Sequence, residues 1–364
     1  MGDDWSWDDT RRGAGEAFSW DDGSPERPGA PQDPGAPAGR PAGAPGSAPP
    51  HERHPQRRLS TAGGVLVAML LGFFVASLLD ATTLEREFKG MPLGTSRSLG
   101  LAALRPVTAL SGAVGLDRPA QALDEALGRT GGTHHTLAQA RKAKALWPRE
   151  ITPERPLKVY VAGDSMARTF GQSLVNLSEE TGLVKASLDY HVSSGLSRPD
   201  FFDWPQRFID TLVEEKPDAV VALFGANDAQ DVSYKGQVLK VGSMAWRSLY
   251  QRRVGEAMDI LTSGGRRVYW VGNPIMRDKQ YRERISMMDH IYAEQAKTRP
   301  GVTYVSTWAL MADGKGSYAE SLEGPDGAPV LMREPDGIHL TRAGGDRMAG
   351  AVLGVIAEDW GFEY

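Results

Sequence analysis

The 364-residue sequence contains no cysteine. This absence excludes a disulfide framework, a cysteine-ligated metal site and a thiol nucleophile, because each of them needs sulfur. It does not decide the compartment, since a domain with a large core is stable without disulfides. Basic residues are not in excess either: 41 Lys and Arg against 46 Asp and Glu give a net charge of -5. No basic stripe is present, so we do not expect nucleic-acid binding.

Aliphatic residues are scarce in residues 1–58, which are rich in Gly, Pro, Ala, Asp and Arg. Such a segment cannot bury enough apolar surface to offset its ordering entropy, and we expect a disordered tail. The sequence WSWDD at 5–9 is echoed by FSWDD at 18–22. Aromatic residues in an acidic tail suit a short motif that docks on a cytoplasmic protein partner. Chance repetition in a low-complexity segment is the alternative.

The long apolar run of the chain covers residues 59–79 and carries no charge. About 20 such residues at helical rise span the hydrocarbon core of a bilayer. The run therefore predicts one transmembrane helix in contact with lipid. A cleaved signal peptide and a buried core helix are the alternatives. The long preceding tail and the lack of an Ala-x-Ala-like site argue against cleavage.

The charges that flank this run predict its orientation. Arg53, Arg57 and Arg58 precede it, and the residues that follow have a smaller cationic excess. Cytoplasmic flanks carry more Lys and Arg. We therefore expect a single-pass protein of the inner (cytoplasmic) membrane, with a cytoplasmic N-terminus and an extracytoplasmic C-terminal part.

The pattern of residues 80–156 predicts a juxtamembrane spacer and linker that packs loosely or lies against the folded domain. Apolar residues at helical spacing over 99–114 predict a short helix, interrupted by Pro106. His134 and His135 lie in a Gly/Thr turn with no third ligand nearby. An adjacent histidine pair of this kind suits an exposed loop better than a metal site, and we expect no metal.

From residue 157 to 364, strand and helix patterns alternate, which predicts one α/β domain. Right-handed crossovers would join the strands into a five-stranded parallel sheet with helices on both faces. The predicted strands are 157–162, 187–192, 219–225, 267–272 and 302–306, and the predicted helices are 167–181, 203–215, 244–262, 281–298 and 341–360.

Four short motifs fall where such a fold holds its ligands. Ser165 follows the first strand, Gly195 the second and Asn227 the third, while Asp336 and His339 precede the last helix. Carboxyl ends of parallel strands meet at one edge of the sheet. Each motif also has a plain structural explanation: a helix N-cap for Gly-Asp-Ser, a turn, a loop glycine or a surface histidine.

Together, the motifs contain the parts of a serine nucleophile system. A serine needs an adjacent base, and His339 can be that base because His191 and His290 fall inside a predicted strand and helix. Asp336 lies three residues before His339 and can fix its tautomer.

An oxyanion needs several hydrogen-bond donors aimed at one point. The backbone N–H groups of Ser165 and Gly195 and the side-chain amide of Asn227 can supply them.

At this point the chain resembles the SGNH (GDSL-like) hydrolases. The resemblance covers residues 157–364 and rests on Gly163-Asp164-Ser165-Met166, Gly195, Gly225-Ala226-Asn227-Asp228 and Asp336-Gly337-Ile338-His339. It implies a flavodoxin-like three-layer α/β/α sandwich, with Ser165 as nucleophile, His339 as base, Asp336 as its partner, and Gly195 and Asn227 in the oxyanion hole. It implies no metal or organic cofactor. The membrane anchor and the Met after Gly-Asp-Ser are similar to a bacterial branch of uncharacterised function.

Loops beside a rigid sheet often carry substrate contacts. Candidate polar residues lining the substrate site are Arg168, Arg198, Asp231, Asn273 and Arg277. Each also fits a solvated loop or helix position. Two insertions, 229–242 and 308–334, lie beside the predicted site, and residues 237–241 suggest one arm of a hairpin.

The leading hypothesis is a membrane-tethered extracytoplasmic serine esterase. It would remove or transfer small, acetyl-like acyl groups on cell-envelope glycans through an acyl-enzyme. The transferring form would be an O-acyltransferase. One alternative is a non-catalytic glycan-binding or scaffold protein with a partner-docking tail. Another is a lipase or phospholipase, which would need a large apolar cleft.

Overall fold

A computed structural model describes residues 62–114, 134–145 and 147–364. The predicted tail, its repeated WDD motif and the first residues of the predicted membrane span lie outside the described residues.

The main sheet has five parallel strands, in the spatial order β2 (Val184–Tyr190), β1 (Leu157–Gly163), β3 (Ala219–Leu223), β6 (Arg267–Val271) and β7 (Val302–Val305). In this register Val161 of β1 pairs with Leu188 of β2 on one side and Val221 of β3 on the other. The prediction of an α/β fold with a five-stranded parallel sheet is confirmed. The order reverses between β1 and β3, which is where doubly wound sheets bind their ligands. The strands are β1 Leu157–Gly163, β2 Val184–Tyr190, β3 Ala219–Leu223, β4 Val232–Tyr234, β5 Gln237–Leu239, β6 Arg267–Val271, β7 Val302–Val305, β8 Ser321–Glu323 and β9 Pro329–Leu331.

The helices pack in groups around the sheet. The helices are α1 Ala62–Leu79, α2 Ala81–Gly90, α3 Thr95–Val114, α4 Leu137–Lys142, α5 Ser165–Thr181, α6 Trp204–Glu214, α7 Met244–Leu261, α8 Lys279–Lys297 and α9 Arg342–Trp360. α5 packs against α9, while α7 packs against both α6 and α8. Two antiparallel hairpins, β4–β5 and β8–β9, form in the two predicted insertions, so the expected hairpin arm at 237–241 is confirmed as Gln237–Leu239.

The core explains why these strands form. All five residues of β3 are buried, as expected of a central parallel strand covered on both faces. Beside it, the ring of Trp204 lies 5.0 Å from that of Phe224, and Phe224 lies 6.0 Å from Trp270. Fully burying a large apolar side chain of this kind contributes roughly 1.5–3 kcal/mol.

The prediction for β2 is wrong by three residues at its start. The strand begins at Val184, which pairs with Leu157, and ends at Tyr190. His191 is therefore outside the strand, and its ring stacks on Phe202 with 3.7 Å between the centroids. Apolar periodicity marks the bounds of β2 weakly, because this strand is only partly buried along its length.

Helix α1 covers most of the predicted membrane span, and its apolar side chains such as Leu66, Met69 and Phe73 are exposed. Over the described residues, no single helix has the length and composition for a membrane crossing, whereas two consecutive ones, Gly63–Leu78 and Ala81–Gly90, bent by 74°, have them together. The transmembrane helix stays a prediction.

The predicted interruption at Pro106 is wrong. Helix α3 continues from Thr95 to Val114 with this proline inside. Proline removes one hydrogen bond of the helix. α3 also packs against α1 and α2, and Ser111 Oγ donates to the carbonyl of Leu78 at 2.8 Å. The spacer thus includes well-formed helices.

The adjacent histidines dock α4 on α6. The backbone N–H of His135 donates to Asp210 Oδ1 at 2.6 Å, and His134 Nδ1 lies 3.2 Å from Asp210 Oδ2. Across the described ranges no group of three or more His, Asp or Glu side chains could hold a metal ion.

Candidate active site

Ser165 lies where β1 passes into α5. Asp164 is the N-cap, and its carboxylate accepts from the backbone N–H of Met166 at 2.9 Å. Gly163 is required just before it, because a Cβ there would overlap the carbonyl oxygen of Leu223 on β3. The helix start therefore places the Ser165 hydroxyl at the carboxyl edge of the sheet, beside the central strand.

The structure brings Ser165, His339 and Asp336 into one hydrogen-bonded row. His339 Nε2 lies 2.9 Å from Ser165 Oγ, although 174 residues separate them. His339 Nδ1 lies 2.6 Å from Asp336 Oδ2. This is the arrangement in which an imidazole can take a proton from a hydroxyl while a carboxylate holds its other nitrogen.

A short turn holds the two residues of this row that precede α9. Asp336 Oδ1 accepts from the backbone N–H of Ile338 at 2.8 Å and of His339 at 2.9 Å. Burial would raise the pKa of Asp336, but the hydrogen bonds from the His339 ring and from the two backbone N–H groups outweigh it and hold the pKa below 3.8. Asp336 is therefore an ionised partner for the imidazole.

Two arginines stabilise the turn that contains Asp336 and His339. Arg277 donates from its backbone N–H to the carbonyl of Gly337 at 3.3 Å and from its guanidinium to the carbonyl of Pro335. Arg333 is fully buried and donates to the same Gly337 carbonyl at 3.4 Å. Burial lowers the pKa of Arg333 to about 10, opposed by nearby Tyr318 and Asp336. The predicted lining residue Arg277 thus also supports the turn, and the sequence offered no signal for Arg333.

Three hydrogen-bond donors that could face an oxyanion have no acceptor. Asn227 Nδ2 is buried and lacks a partner among the described residues. The buried backbone N–H of Gly195 makes no hydrogen bond within the same part of the chain. The N–H of Ser165 is at the first helical position, where no acceptor exists inside the helix.

Buried Asp164 joins the serine loop to the loop after β3. Its Oδ2 accepts from the backbone N–H groups of Gly225 and Ala226, each at 2.9 Å. Burial raises the pKa of Asp164 to about 7, while its backbone hydrogen bonds act in the opposite direction. Asp164 is more than a helix cap, because it also positions the chain immediately before Asn227.

Buried Asp228 joins the loop after β3 to the loop after β2. It accepts from the backbone N–H of Leu196 at 3.1 Å and of Ser197 at 2.7 Å, and from the Tyr250 hydroxyl at 2.8 Å. Burial raises its pKa. A Cβ at Gly195 would overlap the same carboxylate, so glycine is required there. Sequence reasoning missed this role, although an aspartate beside Asn227 at a strand end was the available signal.

The other predicted lining residues have different surroundings. Asn273 does not line the site: it is fully buried, and its Nδ2 donates to the carbonyl of Phe224 at 2.7 Å, which supports the end of β3. Arg168 is exposed one turn after Ser165. Asp231 accepts from the backbone N–H of Val241 at 2.9 Å, and Arg198 is only 2% exposed and donates to the carbonyls of Lys89 and Met91.

The chain is similar to a known protein family and to several solved structures. Residues 158–355 match a family described as a protein of unknown function (DUF459). A GDSL-like lipase from Bacteroides thetaiotaomicron is similar at 13% identity, over 61% of this chain and 95% of that chain, with a TM-score of 0.40. An acetylxylan esterase from Geobacillus stearothermophilus, in a catalytic mutant form, is similar at 16% identity over 57% of this chain and 95% of that chain, also at 0.40. TesA is similar at 21% identity over 56% of this chain and 99% of that chain, at 0.38.

No curated protein matches the chain. The matched family region contains the serine, glycine, asparagine and histidine blocks described above. The chain belongs to the DUF459 family and is an SGNH-like (GDSL-like) protein.

Proposed function

We propose that the chain is a serine ester hydrolase. The observation that carries the proposal is the row Ser165–His339–Asp336, with distances of 2.9 and 2.6 Å. The Asn227 amide, which has no partner among the described residues, is available as an oxyanion donor. A nucleophile, a base, an orienting carboxylate and free donors at one sheet edge are the parts that acyl transfer needs.

The geometry supports a two-step reaction. Ser165 Oγ attacks the ester carbonyl while His339 Nε2 takes its proton, and Asp336 holds the Nδ1–H tautomer. The tetrahedral oxyanion is stabilised by the donors of Ser165, Gly195 and Asn227. The alcohol leaves with the proton from the imidazolium, which forms the acyl-enzyme. A water then loses a proton to His339, attacks the acyl carbon and releases the acid and the serine.

The proposal extends to substrate and place. Small acetyl-like esters on cell-envelope glycans are the proposed substrates, and the bilayer would be contacted through 59–79. The exposed apolar side chains of α1 support a lipid contact, and Arg53, Arg57 and Arg58 support a cytoplasmic tail. The repeated Trp/Asp motif of that tail supports the docking of a protein partner. The outer domain would face the envelope. A sugar hydroxyl in place of water would make the same acyl-enzyme an O-acyltransferase.

A covalent probe tests this function. The full chain is treated with a fluorophosphonate reporter, and labelling is followed on a gel. We expect labelling of the wild type and of Ser248→Ala, whose serine is exposed on α7, and none of Ser165→Ala. An unlabelled wild type would overturn the hydrolase and favour a non-catalytic glycan binder.

Chain-length preference tests the acyl group. We expect kcat/KM to be highest for acetyl esters and to fall for long acyl chains. Preference for long chains would replace the glycan esterase by a lipase.

A further inference from the structure

A cavity lies between helix α3 and the loops that follow β2 and β3. Its volume is 330 Å³, at the lower end of the range for small-molecule sites. Arg97, Ser98 and Leu101 of α3 form one wall. Ser197, Arg198 and Asp231 belong to the opposite wall. The cavity therefore exists only because a helix that precedes the α/β domain packs against it.

The two walls are held together by buried polar contacts. The Arg198 guanidinium donates to the carbonyls of Lys89 and Met91, at the end of α2. In return, Arg97 pairs with Asp200 at 2.5 Å between Nη2 and Oδ2. Both guanidinium groups are buried, with Arg97 9% and Arg198 2% exposed, whereas the Asp200 carboxylate is about half exposed. These charge-assisted hydrogen bonds hold α3 and the end of α2 against the α/β domain.

The domain wall of the cavity is continuous with the donors of the candidate active site. Ser197 lies two residues after Gly195, and its backbone N–H is held by Asp228 at 2.7 Å. Asp231 lies four residues after Asn227. The same two loops thus present the oxyanion donors on one side and the cavity wall on the other. A substrate held at Ser165 that extends along these two loops would reach the cavity.

The charges that line the cavity select the kind of molecule. Two guanidinium groups, of Arg97 and Arg198, are balanced by the carboxylates of Asp200 and Asp231. This balance gives no net attraction for a phosphate or another anion. Charged and hydroxyl groups in the wall equally disfavour a long acyl chain, which would desolvate them without offering hydrogen bonds.

The lining of the cavity also has an apolar part. Leu93, Leu101 and Val232 provide aliphatic surface beside these donors and acceptors. A neutral ring with many hydroxyls and an apolar C–H face satisfies both kinds of surface. We propose that the cavity binds a sugar residue of the alcohol part of the ester, so that α3 forms part of the substrate-binding surface. This inference rests on the proposed esterase function.

A cavity-filling variant tests the inference in the full chain. Ser98→Trp places an indole at the cavity wall, and Ala103→Trp, exposed on the same helix and outside the cavity, is the matched control. The probes are acetylated disaccharides of glucose, xylose and N-acetylglucosamine, compared with p-nitrophenyl acetate. We expect the ratio of kcat/KM for the best sugar ester to that for the aryl ester to fall by at least about 10-fold in Ser98→Trp. The ratio should not change in Ala103→Trp. A ratio that stays at the wild-type value in Ser98→Trp overturns the inference.

Binding without turnover separates the cavity from the chemistry. In the Ser165→Ala chain, the unacetylated disaccharides are titrated by NMR, and we expect saturable binding that Ser98→Trp abolishes. If the aryl ester is hydrolysed and no disaccharide binds, the cavity proposal fails while the esterase stands. If disaccharide binding is saturable and blocked by Ser98→Trp but no ester is hydrolysed, the esterase fails and the cavity stands.

Discussion

The two sides of the Ser165 hydroxyl are built in different ways. On the proton-transfer side, Asp336 and His339 lie three residues apart in one turn, and their side chains are 44% and 34% exposed. On the oxyanion side, Gly195 and Asn227 come from loops after different strands and are joined by the fully buried carboxylates of Asp164 and Asp228. The proton-transfer side is formed within one solvent-exposed turn, whereas the oxyanion side depends on contacts among three loops.

The electrostatics of the two sides are also opposite. Hydrogen bonds hold the pKa of Asp336 below its ordinary value, so it is ionised. Burial raises the pKa of Asp164 to about 7 and also raises that of Asp228. We therefore expect changes on the exposed side to affect chemistry alone, and changes on the buried side to affect both chemistry and folding.

The largest effect is expected on the exposed side. His339→Ala removes the base and should lower kcat by about 10⁴- to 10⁶-fold, as loss of a base does in serine hydrolases. The urea midpoint should stay near the wild-type value because the side chain is partly exposed. Steady-state kinetics and urea unfolding check both. A loss smaller than 10-fold would remove His339 from the mechanism.

Removing one oxyanion donor should come next. Asn227→Ala deletes an amide that has no partner in the described part of the chain, so its loss should appear in kcat, by about 10²- to 10³-fold, with little change in KM. Initial rates on an acetyl ester measure the split. If KM rises and kcat stays, the amide binds the substrate instead of the oxyanion.

Replacing the buried carboxylate of Asp228 should lower both the activity and the stability. In Asp228→Asn, an NH₂ group replaces one of the oxygens that accept from Leu196, Ser197 and Tyr250. Leaving such donors unpaired costs about 1–3 kcal/mol of unfolding free energy. The displaced Gly195 loop should lower kcat by about 10- to 100-fold. Urea unfolding and kinetics on the same preparation test the coupling, and a kcat loss with unchanged stability would contradict it.

The smallest effect on turnover is expected at Asp289, where a substitution should change the pH dependence of stability. Burial raises the pKa of Asp289 from 3.8 to about 8, opposed by its hydrogen bonds from Asn273. Between these values the native carboxyl keeps a proton that the unfolded chain has lost, so this group makes stability fall as pH rises. Asp289→Asn should flatten the fall between about pH 5 and about pH 8, measured by urea unfolding. An unchanged slope would show that Asp289 is ionised in the native protein.

The pairing of Asp336 with His339 could be predicted from the sequence, because only three residues separate them. The order of strands and helices was readable for the same kind of reason, since apolar periodicity reports burial along a single element. The roles of Asp164 and Asp228 in joining the loops, and the burial of the Asn273 side chain, could not be predicted from the sequence. A carboxylate carries no mark in sequence of which distant N–H group it will accept from.

By itself, the sequence determined an α/β domain with four site motifs at the edge of a parallel sheet, because hydrophobic pattern and chain chirality leave few ways to fold it. Only the tertiary structure decided that Ser165 meets His339, that β2 starts at Val184 and that α3 runs through Pro106. It also decided that Arg198 reaches back to α2. Each of these depends on contacts between residues far apart in the chain, and the free energy of such contacts is set by packing in three dimensions and not by local pattern.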